Sequence, residues 1–314
     1  LVLVVEADDL GRVAWRLAAE RPRVGGLRGL VESSGLLVRL RGAWRPGFLS
    51  SIDTAFPKSP VYLLGFTVSL VGLARVDVVG GAARSRTRGW VLAEPLGELD
   101  QDYVSAFARV RERMEALAAL GEGAELVILD GELVPRPGRS PLWGEALRLS
   151  ERLVDEALAA GRTVAGVLKR SYSRSIAERL GVDRVTDRVL ASLVLRRGEA
   201  LLATHSDGEL ARRGCVEALY KPLRGPPAAV RVEACCPARE RCVELLELLA
   251  SEAGASGLPW PIDLVDSLAK REASKVSAVA ALLLSRLARD EAPQLGYASN
   301  PQETMGRRGA RHGQ

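Results

Sequence analysis

The stretch Ala124-Glu-Leu-Val-Ile-Leu-Asp-Gly-Glu-Leu-Val-Pro135 decides how this chain is read. Its run Leu126 to Leu129 is short, aliphatic and without polar alternation, which is how a strand buried on both faces of a mixed or parallel sheet reads. Asp130 stands at the carboxyl end of that strand, and Gly131 lets the chain turn away. Ligands of open α/β sheets bind beyond the carboxyl ends of strands, so Asp130 is a candidate site residue. The plainer alternative is an aspartate that ends a strand in a turn.

Composition narrows what surrounds this strand. The 314 residues suffice for one large α/β domain or two modest ones. With 47% hydrophobic and only 4% aromatic residues, the core must be aliphatic. No stretch reaches the roughly 18 to 20 apolar residues of a membrane span. Leu1 to Val5 is apolar, but Glu6, Asp8 and Asp9 follow it, with no basic segment or small-residue cleavage site; a cytoplasmic protein is expected. Cys235, Cys236 and Cys242 lack paired metal-ligand spacing and a nearby histidine, which favours buried thiols or a stabilising disulfide over zinc. The net charge is +5, and arginine supplies most of it. Arginine suits phosphate partners, although much of the excess lies in the terminal Arg307, Arg308 and Arg311. His205, in a polar loop, and His312, in that tail, offer no setting for a histidine-activated nucleophile.

Residues 1–47 read as a small N-terminal arm or partner-binding element, with a helix over Leu10 to Glu20, a connection over Arg21 to Gly29 and a strand over Leu36 to Leu40. A main domain over 48–290 opens with three strands, expected antiparallel: Phe48 to Thr54, the run Val61 to Val79, and Trp90 to Ala93. Gly80-Gly81 with Arg84, Arg86 and Arg88 reads as a positively charged hairpin turn that could track a DNA backbone. Asp100 to Leu120 is a helix with Phe107, Val110, Met114 and Leu117 on its apolar face. At about 100° per residue, Glu112 points away from that face into solvent, whereas Glu115 lies on the flank and could reach the sheet. A helix over Pro141 to Ala160, closed by Gly161, leads to a strand over Thr163 to Leu168 that ends in Lys169-Arg170-Ser171. Further β and α units follow, including a strand over Ala228 to Ala234 and a helix over Arg239 to Ala253. The segment Gly257-Leu-Pro-Trp-Pro-Ile-Asp-Leu-Val-Asp266 then enters a long helix that reaches about Arg289. Residues 291–314 read as a disordered basic tail.

This succession is the layout of an RNase H-like nuclease core, an α/β fold with a mixed sheet flanked by helices. In such a core the first strand, the next parallel strand and a late helix each bring an acidic side chain to one pocket. Asp53, Glu115, Asp130 and Asp266 are therefore the candidate catalytic and metal-binding residues. Hard divalent cations take oxygen ligands, and two of them about 3.5 to 4 Å apart stabilise both the attacking and the leaving oxygen of a phosphoryl transfer. Carboxylates crowded so closely oppose one another's ionisation, so Mn²⁺ or Mg²⁺ is expected between them. Lys169 could hold a phosphate as a point charge, or simply leave its strand into solvent. Glu272 competes with Asp266 for the last place, because it shares a helical face with Val265, Leu268 and Val276. A carboxylate on an apolar seam needs a partner, and an ion pair with an arginine is its plainer reading.

The same residues resemble the NurA nucleases of archaea and some bacteria, over about Phe48 to Arg289. Ile52-Asp53-Thr54 is similar to the family's first Asp motif, and Ile128 to Leu133 to its Leu-Asp-Gly-Ser-Leu motif. Gly166 to Ser171 is similar to a post-strand lysine segment, and Gly257 to Pro261 with Asp266 to a late Gly-Tyr-Pro motif. Four departures stand out. Thr54-Ala55 replaces Gly-Ser, Glu132 replaces Ser, Leu258 replaces an aromatic residue, and Asp266 falls where several members have His. A carboxylate in place of imidazole keeps the hard-ligand character. The resemblance implies a metal-dependent deoxyribonuclease, a 5′–3′ exonuclease and single-stranded DNA endonuclease. It also implies a homodimer that works with a HerA-type hexameric ATPase in DNA end resection. The alternative, suggested by the altered residues, is a NurA-like scaffold that binds DNA or the ATPase without cutting. A junction resolvase is a third reading, disfavoured by the Gly257 to Pro261 segment.

Overall fold

The computed structural model describes residues 21–290, apart from 42–43, 59–60, 64–65, 96–98, 170 and 183–184. In chain order the elements are α1 (Arg21–Ser33), β1 (Leu37–Arg39), β2 (Phe48–Ala55), β3 (Val61–Leu63), β4 (Phe66–Val79), β5 (Ala82–Pro95), α2 (Gln101–Gly121), β6 (Leu126–Asp130), α3 (Leu142–Ala159) and β7 (Thr163–Leu168). They continue as α4 (Ser175–Arg179), α5 (Asp187–Val194), β8 (Glu199–Thr204), α6 (Gly208–Arg212), β9 (Val216–Tyr220), β10 (Val230–Cys235), α7 (Arg239–Ser251) and α8 (Trp260–Asp290). The chain forms two compact units, each assembled from separate stretches: Pro46–Gly166 with Trp260–Gln314, and Leu1–Arg45 with Val167–Pro259.

In the first of these units, β2, β4 and β5 are antiparallel neighbours, with Asp53 opposite Ala74 and Leu73 opposite Arg88. The β4–β5 turn is Gly80-Gly81, both at positive φ, as a tight hairpin turn requires. On the other side of β2 lies β6, parallel to it, with Ile52 opposite Leu129. This mixed sheet has the strand pairing expected from the sequence, and it sets Asp53 and Asp130 side by side on adjacent parallel strands. A parallel pair needs a crossover rather than a tight turn, and β3 to α2 supply it.

Asp100 caps α2 by accepting a hydrogen bond from the Asp102 amide. One part of α2 packs Ala106 and Val110 on Trp143 and Ala146 of α3, and another packs Val104 and Ala108 on Val71. α2 is thus enclosed on two sides. α8 lies on the sheet through Val265, Leu268 and Ala269 against Ala74 and Val76. Gly72 makes that approach possible, because a Cβ there would stand 2.5 Å from the Ala269 carbonyl oxygen.

The other unit has the strand order β1, β8, β9, β10, with antiparallel pairing throughout. α1 and α5 share a core of Val31, Leu190, Ala191 and Val194 over Leu201 and Leu219. Arg28 of α1 fixes the helix by donating to both carboxylate oxygens of Glu199, at 2.5 and 2.9 Å. Disulfides join Cys215 to Cys235 and Cys236 to Cys242, so the cysteine group is a structural clamp, and neither pair is available to zinc.

Two expectations from the sequence need correction. Arg21 to Gly29 is helix rather than connection, because Leu27 and Val31, one turn apart, find an apolar seat. Arg84, Arg86 and Arg88 belong to β5 rather than to a turn; Arg86 pairs with Asp77 and Glu122, and Arg88 with Glu115. The predicted helix over Leu10 to Glu20 and the predicted disordered tail lie outside the described residues. Among those residues no helix is long and apolar enough to cross a membrane.

Candidate metal centre

Asp53, Asp130 and Asp266 each offer a carboxylate oxygen, and the three oxygens lie within 4.8 Å of one another. Asp53 is buried and the other two are partly open, so the cluster faces solvent on one side. Asp53 comes from β2, where its Oδ1 accepts a hydrogen bond from the Thr54 amide at 2.7 Å. Asp130 ends β6. Gly131 follows at φ 130°, a conformation that glycine adopts readily. The turn is pressed against β7 at Gly166, where a Cβ would meet the Gly131 carbonyl oxygen at 2.4 Å. Asp266 sits nearly two turns into α8, and Lys270 donates to its Oδ2 at 2.7 Å.

Glu115, expected as a ligand, is not brought to this cluster. It is buried against Arg75 at 3.3 Å, with Arg88 at 3.8 Å. Arg75 is itself fully buried and also pairs with Asp77 and Glu122, so Glu115 belongs to an ion-pair network. Glu272 stays outside as well, pairing with Lys275 rather than with an arginine.

Glu112 corrects the reading of α2. Expected in solvent, it is fully buried, and its Oε2 accepts from the Thr54 hydroxyl at 3.0 Å and from Arg109 Nη1 at 2.7 Å. Its other oxygen accepts from Arg113. A helical wheel sends every charged residue away from one apolar face, but α2 packs on both the sheet and α3, so two faces are interior. The available signal was the small-residue ring Ala106, Ala108, Ala116 and Ala119, all buried. The exchange of Gly-Ser for Thr54-Ala55 gains a meaning here, since the Thr54 hydroxyl ties Glu112 to the strand that carries Asp53.

Two arginines hold this wall. Arg109 is raised above its ordinary pKa, first by the charge of Glu112 and further by Asp53 and Asp130, against the effect of burial. Its guanidinium lies over Gly131, where a Cβ would be 3.4 Å from Nη2. Arg113 is lowered, chiefly by burial, and donates through Nη2 to the carbonyls of Glu132 and Leu133 at 2.6 and 3.1 Å. The backbone of Glu132 is thus part of the site's support, while its side chain extends toward Arg136 at 3.7 Å. Lys169 lies in the other unit, where its carbonyl accepts from Arg188.

The NurA domain family matches residues 65–271 of the chain. The chain belongs to the NurA family. The matched span holds Glu112, Asp130 and Asp266, and Asp53 precedes it. Among solved structures, the NurA nuclease from Sulfolobus solfataricus superposes with a TM-score of 0.63 at 14% identity, covering 89% of this chain and 98% of that one. A NurA structure with manganese gives 0.54 at 13% identity, over 86% and 96% of the two chains. A NurA structure bound to dAMP and manganese gives 0.51 at 12% identity, over 84% and 93%. No curated protein matches the sequence. At these identities the structural likeness establishes a shared NurA fold. The three converging carboxylates could hold a metal ion, and their all-oxygen donor set fits a hard divalent cation.

Proposed function

We propose that the protein is a metal-dependent deoxyribonuclease whose centre is built on Asp53, Asp130 and Asp266. The observation that carries this reading is their convergence from two adjacent strands and a distant helix to within 4.8 Å. Three carboxylates so close would repel one another without a cation. Asp53, Asp130 and Asp266 would hold Mn²⁺ or Mg²⁺, and Glu112, held by Thr54, Arg109 and Arg113, supports the wall beside them. When bound, such ions polarise a phosphoryl oxygen and make water nucleophilic at neutral pH. Among the chain's own residues, Thr54 orients Glu112, and Arg109 balances the charge of the carboxylates. Lys169 is read as a contact for a DNA phosphate. Glu115, proposed from the sequence, is reassigned to the Arg75 network.

The solved NurA structures with manganese and with dAMP support a nucleotide substrate and a Mn²⁺ cofactor. Family membership supports the finer reading. That reading is 5′–3′ exonuclease and single-stranded endonuclease activity, in a cytoplasmic homodimer that works with a HerA-type hexameric ATPase in end resection. The altered residues around Asp53 and the absent late His leave a non-cutting, NurA-like scaffold as the second reading, whereas the Thr54 hydrogen bond to Glu112 fits the enzyme.

Labelled single- and double-stranded DNA, incubated with the protein and Mn²⁺ or Mg²⁺ beside an Asp130→Asn variant, tests the proposal. Cutting should require metal and should fall by at least about 100-fold in the variant, as for loss of a main transition-state contact. Cutting in EDTA, or equal cutting by the variant, would sink it. A need for the HerA-type ATPase would appear as stimulation when that partner is added.

A further inference from the structure

Within the unit that contains Val167–Pro259 lies a cavity of about 200 Å³. Leu168, Ala228, Val230 and Leu258 form its apolar walls, and Lys169, Arg188 and Ser256 its polar ones. Among the described residues no carboxylate lines it. At about 30 Å³ per water, it has room for a phosphate and the sugar attached to it, and none for a duplex.

Arg188 is fastened for this position. Its Nε donates to the Ala229 carbonyl at 3.1 Å and its Nη1 to the Lys169 carbonyl at 2.8 Å. These two bonds hold the guanidinium between β10 and the segment after β7. Backbone carbonyls satisfy only part of the fork and neutralise none of its charge. Among the described residues Arg188 makes no ion pair, whereas Arg28, Arg75, Arg86 and Arg231 each face carboxylates. The segment is held from its other end too, since the Asp187 amide donates to the Ser173 carbonyl at 2.8 Å and Arg231 Nη1 donates to Ser171 Oγ at 3.2 Å. A held guanidinium and an ammonium-bearing side chain facing one apolar cleft form a receptor for an anion with an apolar body.

We propose that this cavity is a nucleotide-phosphate subsite. Arg188 and Lys169 grip the phosphate, Ser256 donates a hydrogen bond from the loop, and the aliphatic wall takes the sugar. The inference rests on reading the chain as an enzyme that acts on DNA. Its ligand is a deoxynucleotide phosphate, free or within a single strand.

Methyl-labelled full-length protein, titrated in EDTA, tests this. The probes are dAMP, a short oligothymidylate and inorganic phosphate, read at the methyl signals of Leu168, Val230 and Leu258. The expected result is a saturable shift of those methyls with dAMP or the oligonucleotide, at lower concentration than with phosphate. Lys169→Gln should weaken binding by about tenfold or more, as for loss of one charge-assisted hydrogen bond. Ser256→Asp, a change on an exposed loop, should weaken it at least as much by placing a negative charge in the cleft. Response to dAMP alone identifies a mononucleotide site, and response to the oligonucleotide alone a strand site; either supports the proposal. No shift at these methyls, binding unchanged in both variants, or phosphate binding as tightly as the nucleotides would overturn it. EDTA removes the divalent metal, so a failed cutting assay leaves this result standing, and a failed titration leaves the metal centre untouched.

Discussion

Gly72 of β4 and Ala269 of α8 are in backbone contact: a Cβ on Gly72 would lie 2.5 Å from the Ala269 carbonyl oxygen and equally near the Ala273 amide nitrogen. Ala269 is three residues after Asp266, and Gly72 is two before Ala74, the partner of Asp53 across the sheet. Gly72→Val should therefore push α8 away and draw Asp266 from the other two carboxylates. The expected loss is about 1 to 3 kcal/mol of stability, the usual cost of overpacking. A drop in Mn²⁺ affinity should accompany it, and calorimetric titration would show both.

Glu112 and Glu115 are neighbours on one helix with different partners, and a matched pair of variants separates them. Glu112→Gln should weaken Mn²⁺ binding and cutting by tenfold or more. Glu115→Gln should leave both within about twofold and instead lower stability by about 1 kcal/mol, the typical cost of such a change, because buried Arg75 loses one of its carboxylates. The reverse pattern would restore Glu115 as the ligand.

Asp130→Asn is expected to act oppositely on the metal-free and metal-loaded protein. In EDTA it should melt no lower than the parent, because one of three crowded charges is gone. The parent should gain roughly 2.7 kcal/mol at a Mn²⁺ concentration 100 times its Kd, and the variant should gain almost none. Melting curves with and without Mn²⁺ read both outcomes.

Acid stability should depend on Glu122, whose pKa is pulled down to about 2 by hydrogen bonds from Arg86 and then Arg75. A depressed carboxylate stabilises the fold above its ordinary value of 4.5, and that contribution is lost as pH falls toward 2. The effect should be modest, since the side chain is 41% exposed and solvent screens the pair. Glu122→Gln should flatten the stability profile between those two values and leave the neutral-to-alkaline shape unchanged.

Reduction should loosen the sheet of β8 to β10. The Cys215–Cys235 bridge closes a 20-residue separation, for which chain entropy gives about 3 kcal/mol. Dithiothreitol should lower the melting temperature, Cys215→Ser with Cys235→Ser should reproduce the loss, and alkylation without reductant should label no cysteine.

Much of this fold is written locally. The aliphatic run Leu126 to Leu129, the break at Gly131 and the Gly80-Gly81 turn each carry their conformation in a few residues, and the strand ends at Asp53 and Asp130 follow from them. What was not legible depends on partners far along the chain. Glu112 reads as a surface charge until α3 is known to cover its side of α2. Arg84, Arg86 and Arg88 read as a charged turn until the carboxylates of Asp77, Glu115 and Glu122 are seen opposite them. Arg21 to Gly29 reads as a loop because Pro22, Gly25 and Gly26 weaken a helix that packing against α5 restores. Ion pairs and enclosed helix faces leave no period in the sequence.

The helix carrying Asp266 also sets an order of events. The sheet face that receives α8 is made by residues 46–166, yet α8 is translated only after the whole of Val167–Pro259 has been added. Contacts of such long sequence separation form late, because a large loop must close first. While the chain is still emerging, Asp53 and Asp130 can be in place without their third partner. In the proposed nuclease, that order would leave the centre incomplete during synthesis, with competence arriving only when the last helix docks.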